Sequence, residues 1–516
     1  MAFAVRLTHA HILWIEEAYP MTAAIQMLHG RWPYADFWFD KPPLSAALYL
    51  LWGASPGWLL RLAGAFYVTL CAWLAHRLGG RYAAWLIAVY LSFGIPSAIM
   101  ALAPDLLLVA PHLAAIWMAQ TGRPWLAGIL GGVALLIHTK GILILAAALL
   151  WSPNWRTLAG FAATLPIHAL FGPQYWQQVW WWGGIYSSTT FVTKPLAEFL
   201  RRTANWIGFQ SAAVIAAFLP WRTLKWRNWA WLALSLAGVA MGLRFFPRYY
   251  FFLLVPIVVL AGRSLEQLTP RWRIAILALL LIPVLRFAPR NLQLAFGNER
   301  WDDLALFHDS QTIAKYLNEQ AQPQDTIFVW GYRPDIDALS RLKGGTPFLE
   351  SQPLDCIFAD RHLREFKPMP ALGCEDRLRR FRESEPSWMV DGLGPSNVRL
   401  RLEAYYPLRG YDLVVRTQTA YLYKLVLPQN RSIEARRISV PHEREMARSS
   451  ADPRHASSNG SRFPSRTPLQ IRACETTRLR PDRPESHALP HTPSRSVAAH
   501  PGTLSERSAR HPQCSS

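Results

Sequence analysis

The sequence predicts a mainly α fold: a polytopic transmembrane bundle of about ten helices, interfacial helices in its outer loops, and a small C-terminal α/β extracytoplasmic domain. Three observations predict it. Of 516 residues, 51% are apolar and only 17% charged, where soluble globular chains carry about 25% charged residues. Trp occurs 24 times. The mean hydropathy of +0.08 averages unlike parts: strongly apolar up to about Ala288, ordinary after Asn291, polar after about Gln429. Together they exclude a single soluble enzyme, a coiled coil and a wholly disordered protein.

The elements follow in order. Residues 1–57 read as a truncated N-terminus and first outer loop, because 1–15 is too short to span a bilayer and lacks a cleavable signal. Residues 58–290 form the transmembrane domain, with helices near 58–77, 83–102, 105–120, 125–137, 141–151, 157–171, 203–220, 229–243, 249–262 and 273–288. Short basic connections at Arg77/Arg81, Arg123, Arg156, Arg222/Lys225/Arg227 and Arg263/Arg271/Arg273 go to the cytoplasmic side. The alternate connections, and everything after Ala288, are then outside. This alternation requires two short helices across 125–151 rather than one. The Trp-rich connection 172–202 predicts a helix lying at the outer interface.

Residues 291–428 read as the small α/β domain. A helix at 305–319 ends at Pro323, and strands fit Thr326–Trp330, 387–390, 413–416 and 421–426. No catalytic pattern is read there. Cys356 and Cys374 suit either a disulfide in an extracytoplasmic domain or two free thiols. Residues 429–516 read as a disordered Arg/Ser/Pro-rich tail, or as a frameshifted stretch. About fifteen Arg, no Lys and about eight acids after Arg431 supply roughly a third of the net charge of +20. Much of the rest flanks apolar segments, and no basic stripe with interleaved aromatics predicts nucleic-acid binding.

The first outer segment carries the candidate chemistry. Glu16, Glu17, Asp36 and Asp40 lie within 25 residues, beside aromatics and next to apolar helices. Unpaired carboxylates near a bilayer are costly and mark function. The alternatives are a helix start for the Glu pair and turns for the Asp residues. Lys41-Pro42-Pro43 places a cation at the start of a helix, which suits a bound phosphate. Its alternative is a pair with Asp40. His112, His138 and His168 read as satisfied interhelical histidines.

Glu16-Glu17, Gly30-Arg31-Trp32-Pro33-Tyr34-Ala35-Asp36 and Asp40-Lys41-Pro42-Pro43-Leu44, followed by Arg61-Leu62, resemble the GT-C class of membrane glycosyltransferases. The nearest branch resembles protein O-mannosyltransferases, aminoarabinose transferases and galacturonic-acid transferases. Pro104-Asp105, Lys140-Gly141 and Arg248-Tyr249-Tyr250 agree with it. The resemblance covers about 16–426. It implies an inverting enzyme that moves a sugar from a polyprenyl-phosphate donor to a glycan, lipid or protein hydroxyl on the outer face of the cytoplasmic membrane.

On that resemblance Glu16 is the catalytic base, with Glu17 its neighbour or substitute. Asp36, Asp40, Lys41, Arg61, Asp105, Lys140, Arg248 and Tyr249 are the substrate-binding set. No cofactor is assigned, although a divalent metal bridging Glu16, Glu17 and phosphate fits the same acids. Relatives place a full helix before the acidic pair. Here only fifteen residues precede Glu16, so an inactive copy with Glu16 poorly positioned is one alternative. A lipid-phosphate transporter is another, and it predicts broken helices at midplane and two related halves.

Overall fold

The computed structural model describes residues 1–426 apart from 191, 298–301, 360–365 and 369–372. The expected tail lies outside the described residues. The described residues form one compact unit.

Among the described residues three helices are long and apolar enough to cross a membrane: Trp58–Tyr90, Pro247–Gln267 and Pro270–Ala295. The first two cross at Gly79, Gly262 and Ala83. A Cβ on Gly79 would meet the Val259 carbonyl oxygen at 2.8 Å, so only glycine lets the two backbones touch. Gly80, at φ +79°, bends the first helix there. The expected break between the helices at 58–77 and 83–102 therefore falls at Gly80, and the second of them stops at Tyr90 rather than at 102. Residues 96–102 hold only the short helix Pro96–Ile99. The last long helix exposes Trp272, Ile274, Leu281, Leu285 and Leu292, an apolar face suited to lipid.

The two-helix reading of 125–151 holds. The helix Pro124–Ile137 ends where His138 turns extended, and Gly141–Leu149 restarts the chain. A Cβ on Gly141 would run into the Ala134 and Leu135 backbone, so this hairpin is as tight as glycine allows. It carries Lys140 at its tip.

Three of the basic connections meet at one end of the bundle. Arg263 donates to the Leu78 carbonyl at 3.0 Å and to Gln120 Oε1 at 2.8 Å, and Arg81 lies 3.7 Å from Glu266. Arg61 and Arg248 begin the same two helices at the opposite end.

The Trp-rich connection folds as Gly172–Tyr175, a π-helical turn Trp176–Trp181, and Trp182–Ser188. Trp176 and Trp181 are exposed, whereas Trp182 is buried against the α/β region.

That region follows the helix Asp302–Gln320. Its strands are β1 (Thr326–Trp330), β2 (Lys343–Gly344), β3 (Ile357–Ala359), β4 (Phe366–Pro368), β5 (Trp388–Asp391), β6 (Tyr411–Arg416) and β7 (Tyr421–Leu425). The main sheet runs β2-β1-β5-β7-β6; β1 pairs parallel with β2 and β5, and β7 pairs antiparallel with β5 and β6. Alternation sends Ile327 and Val329 under the helix Asp302–Gln320 and Phe328 and Trp330 to the other face. Both faces are covered, which explains the unbroken apolar run of β1. On the second face Trp38 and Trp182, from the outer loops, join the core, and Arg377 stacks over both rings at 5.2 and 5.1 Å.

Cys356 and Cys374 form a disulfide 18 residues apart. Replacing both by Ser is expected to lower the stability of this region by about 3 kcal/mol, from the loop closed. Denaturant unfolding followed through the Trp residues of the sheet checks it; an unchanged midpoint would contradict the assignment.

Candidate active site

The helix Ile15–Leu28 sets the acidic pair. Trp14 N–H donates to Glu17 Oε1 at 3.0 Å, a reciprocal cap that fixes the first turn. Successive helical residues then point to different sides. Glu17 turns inward and is fully buried. Its oxygens take Arg61 Nη2 at 2.5 Å, Arg61 Nη1 at 3.2 Å and the Leu102 N–H at 3.2 Å. Arg61 also donates to the His9, Ile12 and Met100 carbonyls. Arg6 adds bonds to the Ile99 and Met100 carbonyls. This clamp holds 6–14 and 99–102 together.

Glu16 turns the other way, into a cavity of about 370 Å³. Arg248 Nη1 donates to its Oε1 at 2.7 Å, and its Oε2 is buried without a hydrogen-bond partner. Arg248 Nε stands 3.4 Å from Asp105 Oδ2, and Lys140 Nζ 3.0 Å from Asp105 Oδ1. Lys140 also sits 3.6 Å over the Tyr249 ring. Three separate turns thus converge: Pro104-Asp105 at a helix start, the Lys140 hairpin, and Pro247–Tyr250.

In the same cavity Lys41 pairs with Asp40 at 2.6 Å. Burial pulls its ammonium down, but Asp40 outweighs this and holds it above the ordinary lysine value. Arg244 lies 3.5 Å over the Tyr186 ring on the same wall.

Glu16, Asp40, Lys41, Asp105, Lys140, Arg248 and Tyr249 therefore line one cavity. Three expected residues do not. Glu17 and Arg61 form the clamp behind it. Asp36 is exposed and caps its own turn by accepting from the Trp32 N–H at 2.5 Å. The two carboxylates face apart, and both Glu17 oxygens are already bonded. The Glu16 side chain is held in the cavity by its pair with Arg248.

The α/β region also supplies residues that the sequence reading left out. Tyr332, Glu350 and Gln352 line the cavity. Burial, then the charges of Glu350 and Glu16, push the Tyr332 phenol well above its usual value. Of the histidines, His112 accepts from Trp231 at 2.8 Å and His168 meets the Tyr175 hydroxyl at 2.7 Å, while the expectation that both are satisfied holds for only one nitrogen of each ring, His112 Nδ1 and His168 Nε2 being buried without partners. His138 instead lines the cavity, 3.8 Å from Asp105.

An apolar groove of about 740 Å³ uses the same segments. Leu44, Leu102, Leu107 and Ile137 line the groove; Pro42, Ala103, Asp105 and His138, their near neighbours in sequence, line the cavity. Leu51, Phe66 and Leu70 leave its rim open.

No protein-family model matches the sequence, and no curated protein matches it. Among solved structures, ArnT from Cupriavidus metallidurans bound to undecaprenyl phosphate is similar over 83% of this chain and 97% of its own, at 15% identity and a TM-score of 0.52. The chain shares the fold of this ArnT structure. ArnT in the apo state covers the same shares at 14% identity and a TM-score of 0.44. The Archaeoglobus fulgidus oligosaccharyltransferase, in complex with zinc and sulfate, is 12% identical over 83% of this chain and 73% of its own, with a TM-score of 0.39. A shared fold does not fix what a site does, so the role of this one is argued from its own residues.

Proposed function

We propose that the chain is an inverting glycosyltransferase. It moves a sugar from a polyprenyl-phosphate donor to an acceptor hydroxyl on a glycan, lipid or protein, on the outer face of the cytoplasmic membrane. One observation carries this reading: a buried carboxylate with a free oxygen, Glu16, shares a cavity with Lys140 and Arg248, and that cavity abuts a lipid-facing apolar groove. ArnT, which has the same fold, was crystallised with undecaprenyl phosphate.

The chemistry follows from the groups present. The acceptor oxygen bonds to the sugar's C1 and its proton passes to Glu16 Oε2. The bond from C1 to the phosphate oxygen breaks, and the polyprenyl phosphate leaves with the electron pair. Lys140 has three N–H donors, of which Asp105 takes one, and Arg248 has five. Their remaining donors suit the charge that develops on the phosphate, strengthened by burial. The groove takes the isoprenoid. No step is routed through a cofactor.

Membranes containing the full chain test this with polyprenyl-phosphate donors labelled in the sugar. Label moved to a membrane or glycan acceptor is expected; no transfer from any such donor would overturn the reading. The groove has its own test. Ala63→Trp projects a ring into it and is expected to lower kcat/KM for long-chain donors about 10-fold, the scale of one lost apolar contact set. Unchanged kcat/KM would place the isoprenoid elsewhere.

A further inference from the structure

Glu350 has no use in the reaction just described, yet it is only 5% exposed and its Oε2 has no hydrogen-bond partner. It sits on the loop between β2 and the helix Gln352–Asp355, beside the disulfide that anchors that helix. From there it faces the cavity wall formed by Asp40 and Lys41. Asp40 Oδ1 is also buried without a partner. Two buried acceptor atoms left open in one cavity cost stability, of the kind retained where a ligand satisfies them. Tyr332 stands between this wall and the Glu16–Arg248 wall, and Tyr19 packs against its ring at 5.7 Å.

We propose that Glu350, Asp40 and Tyr332 form the subsite for the donor's sugar ring, and that the sugar is neutral and bound through its hydroxyl groups. The assignment rests on the transferase reading and deepens it by naming the sugar class. Position comes first. The subsite lines the same cavity as Lys140 and Arg248, so a sugar there stays attached to a phosphate held by those two cations.

Charge then selects the class. Lys41 already neutralises Asp40 at 2.6 Å, so the subsite has no unmatched anion that calls for a sugar ammonium. Burial, with the charge of Asp40, pushes the Glu350 carboxyl well above the ordinary carboxylate range. A protonated Glu350 offers one O–H donor and one acceptor, and Asp40 offers an acceptor. A sugar hydroxyl both donates and accepts, and matches that set. A sugar carboxylate would add a third acidic group beside Asp40 and Glu350.

The test uses the purified full chain in nanodiscs and measures binding of polyprenyl phosphate alone and of donors bearing a neutral hexose, a hexuronate or an amino-pentose. The hexosyl donor is expected to bind about 10-fold tighter than the bare lipid phosphate, the scale of one or two buried hydrogen bonds. Glu350→Ala is expected to erase that gain while leaving the bare lipid phosphate bound as before. Glu350→Gln keeps a neutral donor–acceptor group and is expected to retain most of it. The ligand-free Glu350→Gln protein is also expected to melt no lower than the parent, because the native site leaves the carboxyl unsatisfied.

A tighter hexuronate or amino-pentose donor would overturn the proposal. So would an unchanged hexosyl gain in Glu350→Ala, Glu350→Gln behaving like Glu350→Ala, or a lowered melting temperature in Glu350→Gln, which marks a structural role. Failure of the parent protein to bind bare polyprenyl phosphate would instead sink the transferase reading itself, and the subsite with it.

Discussion

Replacing Glu16 by Gln is expected to slow sugar transfer by between about 100-fold and 10,000-fold, the range a positioned general base supplies. The amide keeps the hydrogen bond from Arg248, through its carbonyl oxygen, so packing and donor binding are expected to persist. What it loses is the capacity to take the acceptor's proton at the oxygen now free. The loss should fall on kcat, with KM for the donor little changed. Initial rates over a donor series check this. Rates within a few-fold of the parent would remove Glu16 from the chemistry and leave the cavity as a binding site only.

The second large effect is structural. Glu17→Ala is expected to destabilise the fold by about 3–5 kcal/mol, because it leaves the Arg61 guanidinium buried without its carboxylate. Both side chains are fully buried, at 0% exposure. Arg61→Ala should cost a similar amount and also release the His9, Ile12 and Met100 carbonyls. Replacing the two together by Met should recover much of the loss, since no uncompensated charge remains. Thermal unfolding in detergent reads all three. A Glu17→Ala protein that melts with the parent would show that the clamp does not hold the N-terminal segment. The contrast between adjacent residues is the point: Glu16 should lose rate with little change in stability, Glu17 stability first.

Part of this was legible in the chain and part was not. Alternating basic connections separated Pro124–Ile137 from Gly141–Leu149, and thereby put Lys140 at a hairpin tip. Apolar runs closed by Pro and Gly marked β1 and β7. The basic connection at Arg77/Arg81 marked the break at Gly80, and the close approach of Gly79 to Gly262 and Val259 gives that turn its purpose; the early stop at Tyr90 was not legible. Glu16 and Glu17 could not be told apart by type. Their roles separate through the Trp14 cap, which sets the helical phase and sends one inward and the other into the cavity. Glu350 and Tyr332 carried no local pattern. They reach the cavity because Trp38 and Trp182 dock the sheet onto the outer loops, a contact between segments about 150 to 350 residues apart in sequence that no spacing encodes.

The central claim is that one cavity holds the lipid phosphate beside Glu16, with the isoprenoid in the adjoining groove. Photolabelling tests it most directly. A polyprenyl phosphate with a diazirine on its first isoprene unit would be irradiated with the full chain in nanodiscs, and the labelled peptides sequenced. Label is expected on the segments around Pro42, Pro104 and Lys140, and competition by unmodified polyprenyl phosphate is expected to remove it. Competable label confined to the exposed face of Pro270–Ala295, or to the end of the bundle that holds Arg81 and Arg263, would contradict the account.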